Sequence, residues 1–278
     1  MNRIAASWEI AKRSWAVLRS DKSLAWFPIF SFLGSVAVFA VIGGLIALMG
    51  IDDSSTGSSL KPLGWVLIVI AYLALAFVQT YFLAALVAGA DQRLQGRNST
   101  VSSALQVANS RLHRLLPWAA VSATVSIVIT MIERQGIVGQ VIARLVGLAW
   151  NLVTFLTIPI LVIEDIGVGA AFTRSKDLFK QTWGENVVGQ FGLGAVGFLV
   201  TLPALAFIGI GAALGTAGLI VLGGVAVVWL IVTATIMSAL SGIYRTALYR
   251  YATSGQVPAD FAGSDFRAAF RQKRGRES

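Results

Sequence analysis

The 278-residue sequence contains no cysteine and a single histidine. Without cysteine the chain has no disulfide, no thiolate nucleophile and no cysteine-ligated metal or cluster. One imidazole, that of His113, offers little for metal ligation or proton transfer. Acid–base catalysis needs positioned titratable groups, and few are present. The sequence therefore predicts no catalytic residue, no metal site and no cofactor.

Charge is also missing from long stretches, including Leu24–Met49, Leu63–Ala90 and Val187–Ile210. An α-helix needs about 20 apolar residues to cross a hydrocarbon core about 30 Å thick. Hydrophobic residues make up 56% of the sequence and charged residues 13%, a composition outside the range of soluble domains. We therefore expect an all-α, polytopic transmembrane helical bundle.

Six spans are predicted, at about 24–49, 63–90, 115–132, 145–163, 187–210 and 217–243. The stretch 133–147 is ambiguous, because it fits either a helix on the outer surface or an outward extension of the fourth span. Residues 1–250 are interpreted as a single integral membrane domain, and residues 251–278 as a basic cytoplasmic tail.

Lysine and arginine are unevenly distributed over the two sides that these spans define. Of the 22 basic residues, only Lys61, Arg134 and Arg144 fall on the side of the first loop. The positive-inside rule then places both termini in the cytoplasm. The net charge of +9 follows from this topology and does not indicate nucleic-acid binding.

A shorter segment with helical periodicity comes before the first span, where apolar residues recur at intervals of three and four from Ile4 to Leu18. We interpret it as a helix in the cytoplasmic interface, with its tryptophans at headgroup depth and its cations towards anionic lipid. The alternative is a helix that packs on other cytoplasmic segments. The residues expected to contact lipid here are Trp8, Lys12, Arg13, Trp15 and Arg19.

Similar segments come before the third and fifth spans. A spacing of four is shared by Ile10–Ser14–Leu18, Ala104–Ala108–Leu112 and Ala171–Ser175–Phe179. This pattern predicts three copies of one unit, in which a cytoplasmic interfacial amphipathic helix is followed by a helical hairpin.

The main polar group inside a predicted span comprises Asn151, Thr154 and Thr157, at i, i+3 and i+6 shortly before Pro159. It is a candidate polar path for a solute, or else a set of hydrogen bonds between and within helices. Gln79 is expected either to face this group or to serve packing alone.

The inner ends of spans carry further charged and aromatic residues. Glu164 and Asp165 are expected to complement the dipole of the helix that follows, the alternatives being a cation site or a hydrolytic role. An aromatic and basic anchor of the sixth span is predicted from Tyr244, Arg245, Tyr249, Arg250 and Tyr251. Further lipid contacts are predicted at Trp183 and at the tail residues Arg267, Arg271, Lys273 and Arg274. The alternative for the tail is a short topology-determining segment with little structure.

Several segments together resemble an uncharacterised family of prokaryotic six-span integral membrane proteins. They are Ser7–Leu18, Asp21–Lys22, Phe27–Pro28, Pro159 with Glu164–Asp165, Ser175–Phe179, Trp183–Asn186 and Tyr244–Ala252. The resemblance implies the architecture and a location in the inner membrane, but no activity. The order of proline, acidic pair, amphipathic helix and tryptophan also resembles, more distantly, the membrane domain of some glycerophosphodiester phosphodiesterases. The sequence contains no phosphodiesterase catalytic motif.

These observations predict a non-enzymatic protein of the prokaryotic inner (plasma) membrane that organises lipid or protein partners at the cytoplasmic face. Anionic lipid headgroups are the expected partners, together with a membrane protein or further copies of the chain. Nucleic acid is not an expected partner. A small-solute transporter or channel is the alternative hypothesis, and a membrane enzyme comes third.

Overall fold

The computed structural model describes residues 3–49, 62–181, 183–255, 258 and 261; the side chains of residues 3–8, 62, 181 and 183–191 are outside this description. The described residues are mostly helical and contain no strand. A short 3₁₀ turn, Lys22–Ala25, follows the first helix. The α-helices are α1 (Arg3–Ser20), α2 (Trp26–Leu48), α3 (Pro62–Leu94), α4 (Val101–Ser110), α5 (Leu112–Glu133), α6 (Gly136–Val153), α7 (Thr157–Ile163), α8 (Val168–Gln181), α9 (Trp183–Ala213) and α10 (Gly215–Ser254).

Within the described residues, six helical segments are long and apolar enough to cross a membrane. They are Lys22–Leu48, Leu63–Leu94, Leu112–Glu133, Gly136–Ile163, Gly192–Ala213 and Gly215–Ser254. The shortest have 22 residues, which cover about 33 Å at 1.5 Å per residue. The predicted all-α fold with six spans is confirmed.

The helix order also follows the predicted threefold plan, because α1, α4 and α8 each come before a pair of spans. The positions spaced by four are mostly buried on these helices: Ser14 on α1, Ala104 and Ala108 on α4, and Ala171 and Ser175 on α8. Small buried residues let helix backbones approach closely. The location of these helices in the membrane interface stays a prediction.

Most of the ambiguous stretch 133–147, from Gly136 onward, belongs to the fourth candidate span. A turn at Arg134 and Gln135 ends α5, and α6 begins at Gly136, whose φ of +79° suits glycine. The fourth span is not one continuous helix, however, because α6 ends at Val153 and α7 begins at Thr157. Pro159 explains the interruption, since proline has no N–H to donate to the carbonyl four residues earlier and its ring clashes there.

The chain divides into two compact units. Unit 1 comprises Met1–Pro28, Gly89–Val101 and Asp177–Ser278, and within it α1 packs against α9 and α10. Unit 2 comprises Ile29–Ala88 and Ser102–Lys176, and within it α5 packs against α6. The interpretation of residues 1–250 as a single domain stays a prediction.

Three aromatic rings form a stacked ladder in unit 2. Trp118 on α5 stacks on Trp150 of α6 with ring centroids 5.8 Å apart, and Trp150 stacks on Phe172 of α8 at 5.9 Å. Trp118 is 5% exposed. Stacked aromatic pairs add about 0.5–1.5 kcal/mol to the burial of their area.

Candidate functional site

Helix α1 presents three of the predicted lipid-contact residues on one exposed face. Lys12, Trp15 and Arg19 are exposed, and their spacing of three and four places them on the same side of the helix. Arg13 is partly buried, and its Nε lies 2.9 Å from Glu9 Oε1. Trp8 lies on α1, but its side chain is outside the description.

The buried face of α1 is formed by Ile10, Ala11, Ser14, Val17 and Leu18. The apolar stripe deduced from the sequence differs from this face at Trp15, which is 45% exposed. The physical reason is size, because the small side chains of Ala11 and Ser14 on the buried face allow α1 to approach α9 and α10 closely. Trp15 is thereby left beside Lys12 and Arg19.

Next to this exposed face, α1, α9 and α10 enclose a groove of about 370 Å³ within unit 1. Helix α1 contributes Lys12 and Trp15, and α10 contributes Trp229, Val232 and Met237. Lys12 is the one charged residue among the described residues that line the groove. The site thus combines a single cation with an apolar wall.

Trp229 is fixed at the wall of the groove by a hydrogen bond. Its Nε1–H donates to the backbone carbonyl of Val200 on α9 over 2.8 Å. Its ring meets Phe207 edge-on with centroids 6.4 Å apart. The indole N–H is therefore satisfied inside the protein, and the ring presents an apolar surface.

Unit 1 also contains a bidentate ion pair. Arg250 on α10 donates from Nε and Nη2 to the two carboxylate oxygens of Asp91 on α3, over 2.6 and 2.8 Å. Gln95 Nε2 donates to the same carboxylate over 2.7 Å. Tyr244 and Tyr249 nearby on α10 are buried. The predicted lipid anchor is therefore wrong for these three residues of α10, because Arg250 binds a carboxylate and both tyrosines are buried.

In unit 2, basic residues surround Asp165, which has a φ of +54°. Arg111 Nη1 lies 2.6 Å from Asp165 Oδ2, and Arg114 Nε and His113 Nε2 lie 3.4 and 3.6 Å from Oδ1. Arg111 Nε also donates to the carbonyl of Val162 over 3.1 Å. The acidic residue thus joins the end of the fourth span to the start of α5.

The neighbouring Glu164 pairs with Arg174 on α8, Oε1 to Nε, at 3.4 Å. Both acidic residues are thus engaged by cations of the chain. The pairs with arginine are what the structure shows for these two carboxylates. Helix α8 begins only at Val168, and the predicted interaction with its dipole stays a prediction.

The candidate polar path is divided by the interruption of the fourth span. Asn151 is exposed on α6, whereas Thr157 is fully buried at the start of α7. Thr154 Oγ1 donates to the carbonyl of Trp150 over 2.7 Å. The hydroxyl of Thr157 has no hydrogen-bond partner within the described residues. The i, i+3, i+6 pattern assumes a continuous helix, which the turn at 154–156 removes.

Gln79 in the second span bridges to the first. Its Oε1 accepts from Ser31 over 3.2 Å, and its Nε2 donates to Ser35 over 3.1 Å. Hydrogen bonds of this kind hold membrane helices together. Of the two roles considered for Gln79, the structure shows helix packing.

The side chains of the remaining predicted site residues lie outside the described part of the structure. Trp183 is the first residue of α9, but its side chain is outside the description. The basic tail residues Arg267, Arg271, Lys273 and Arg274 also lie outside the described residues.

Comparison with protein families gives one match. The model of a family of unknown function, DUF6159, matches residues 62–259, more than half of the chain. The chain belongs to this family. No match was found among curated proteins or among solved structures. The expected family of unknown function is thereby confirmed, and the distant resemblance to the phosphodiesterase membrane domain stays a prediction.

The groove residues of α9 and α10 were not predicted as a site. A signal was present in Trp229, because it lies within a long aliphatic stretch and a buried indole N–H usually has a hydrogen-bond partner. The stretch alone could not show which residues of α1 and α9 lie beside it. That information comes from the packing of the three helices.

Proposed function

We propose that the protein is a non-enzymatic integral protein of the prokaryotic inner membrane that binds anionic phospholipid through α1 at the cytoplasmic face. One observation carries the proposal: Lys12, Trp15 and Arg19 share an exposed face of α1 beside an apolar groove. Cations near a membrane surface attract anionic lipid, and tryptophan favours headgroup depth. The uneven distribution of basic residues supports the cytoplasmic side.

The basic tail extends the same chemistry. Arg267, Arg271, Lys273 and Arg274 follow the sixth span closely in the sequence. Each basic residue near an anionic surface contributes about 1 kcal/mol of attraction. The tail and α1 would then bind the same leaflet.

Native mass spectrometry of the full chain, released from its own membrane in mild detergent, tests the proposal. We expect bound phosphatidylglycerol or another anionic phospholipid. Lys12→Gln combined with Arg19→Gln should lower its retention by an order of magnitude or more, at about 1 kcal/mol per cation. Arg134→Gln combined with Arg144→Gln is the control, because it removes the same charge from the opposite predicted side. Equal retention in both double variants, or a stoichiometric protein partner in place of lipid, would contradict the proposal.

A small-solute transporter is the second candidate. It is favoured by the interruption at 154–156 together with the buried hydroxyl of Thr157, which lacks a partner among the described residues. Interrupted helices frame the substrate sites of many transporters. Glycerol flux into liposomes that contain the protein should then fall in Thr157→Val but not in Thr154→Val, whose hydroxyl bonds its own helix. Flux equal to that of protein-free liposomes would exclude glycerol as a solute.

A further inference from the structure

The groove of unit 1 combines one cation with an apolar wall. Its volume of about 370 Å³ falls in the range of small-molecule sites, about 300–1,000 Å³. Lys12 belongs to α1, which comes before the first candidate span. A ligand in this groove would therefore be mostly apolar and would carry a negative group near Lys12.

The length of the groove fits one leaflet of a bilayer. Along α10 its lining extends from Trp229 to Leu240, which corresponds to about 16 Å at 1.5 Å per residue. Half of a hydrocarbon core about 30 Å thick is about 15 Å. A chain of hydrocarbon from a single leaflet would therefore match the groove from end to end.

The wall offers little to a polar ligand. Trp229 donates its N–H to Val200, and Thr233 is 5% exposed. Val232 and Val200 present aliphatic side chains beside them. A peptide or sugar would leave its own polar groups without partners along this wall, which is costly. An acyl chain has no such groups.

We propose that this groove holds one acyl chain of an anionic phospholipid, with the phosphate of that lipid next to the Lys12 ammonium. The inference rests on the proposed function, because it takes α1 as the lipid-binding helix. It adds a defined site to that function: one lipid is held between α1, α9 and α10, in contrast to a mobile layer around the protein. Charge complementarity between Lys12 and the phosphate selects the anionic class.

The experiment uses the full-length protein, incubated with equal amounts of phosphatidylglycerol and phosphatidylcholine and analysed by native mass spectrometry. Val232→Trp fills the groove, and Val227→Trp is its control, because Val227 is exposed on the same helix and does not line the groove. Lys12→Gln removes the cation, and Arg19→Gln removes a neighbouring exposed cation outside the groove. Gel filtration confirms that each variant remains folded and monodisperse.

We expect one tightly held phosphatidylglycerol in the unmodified chain and its loss in Val232→Trp. Lys12→Gln should reduce the preference for phosphatidylglycerol over phosphatidylcholine about fivefold. Val227→Trp should retain lipid like the unmodified chain. Arg19→Gln, which removes a cation of the lipid-binding face outside the groove, should reduce that preference less than Lys12→Gln does. The inference fails if Val232→Trp and Val227→Trp retain lipid equally. If in that case Lys12→Gln and Arg19→Gln weaken binding alike, surface binding by α1 stands and only the groove is refuted. If the unmodified chain retains no lipid, the proposed function fails with it.

Discussion

Helices α1 and α8 occupy equivalent places in the threefold plan, yet their central serines behave differently. Ser14 and Ser175 are both fully buried. Ser175 Oγ donates to the carbonyl of Val153 over 2.6 Å. Ser14 Oγ has no hydrogen-bond partner in the part of the chain that the structure describes.

The difference follows from the spans beside each helix. In unit 2 the amide of Thr157 bonds to Thr154, so the carbonyl of Val153 is released and Ser175 can bind it. In unit 1, α1 packs on α9 and α10, which continue without a comparable interruption. The same spacing of four residues thus places a hydrogen-bonded serine in unit 2 and a closely packed serine in unit 1.

The two units also differ in how far a tryptophan of each is exposed. Trp118 in unit 2 is buried in a stack, whereas Trp229 in unit 1 is 38% exposed at the groove. In this pair, the tryptophan of unit 2 is packed inside the protein, and the tryptophan of unit 1 remains partly exposed at an apolar groove. Three paired substitutions test this contrast.

The largest effect is expected from the tryptophans. Trp118→Ala should lower the free energy of unfolding by about 3 kcal/mol, because it leaves a cavity in a packed interior. Trp229→Ala should cost about 1 kcal/mol or less, because lipid chains can fill the space at an open groove. Unfolding of the protein in mixed micelles measures both values. A similar loss of unfolding free energy in the two variants would contradict the difference between the buried and the exposed tryptophan.

An intermediate effect is expected from the ion pairs. Asp91→Asn should destabilise by about 2 kcal/mol, because the Asp91 carboxylate is only 11% exposed and its loss leaves Arg250 without its charge partner. Asp165→Asn should cost about 1 kcal/mol or less, since that carboxylate is 36% exposed. A double-mutant cycle with Arg250→Gln isolates the coupling with Asp91. A coupling near zero would contradict the assignment.

The smallest change in the free energy of unfolding is expected from the two serines. Ser175→Ala should cost about 1 kcal/mol through the lost hydrogen bond to Val153. Ser14→Ala should stay within about 0.5 kcal/mol of the unmodified chain, because no hydrogen bond within the described structure is removed. The same unfolding assay compares them. A larger cost for Ser14→Ala would show a partner for its hydroxyl.

Much of the fold could be predicted because lipid solvation acts on local composition. The six spans and the three helices that come before them are visible as charge-free stretches and as residues spaced by four. The interruption after Val153 was harder to predict, although Pro159 marks it, because proline in a membrane helix can also be accommodated by a kink. The partner of Arg250 lies 159 residues away in the chain, so no local pattern reveals it.

The sequence by itself determined the helical class, the number of spans and the charge bias, because each depends on a short run of side chains meeting hydrocarbon or water. Tertiary structure alone decided that Asp91 binds Arg250, that Asp165 binds Arg111, and that α1, α9 and α10 enclose a groove beside Lys12. These arrangements depend on which helices pack together. In a bilayer that packing is governed by shape and polar contacts between distant segments, which hydrophobicity does not encode.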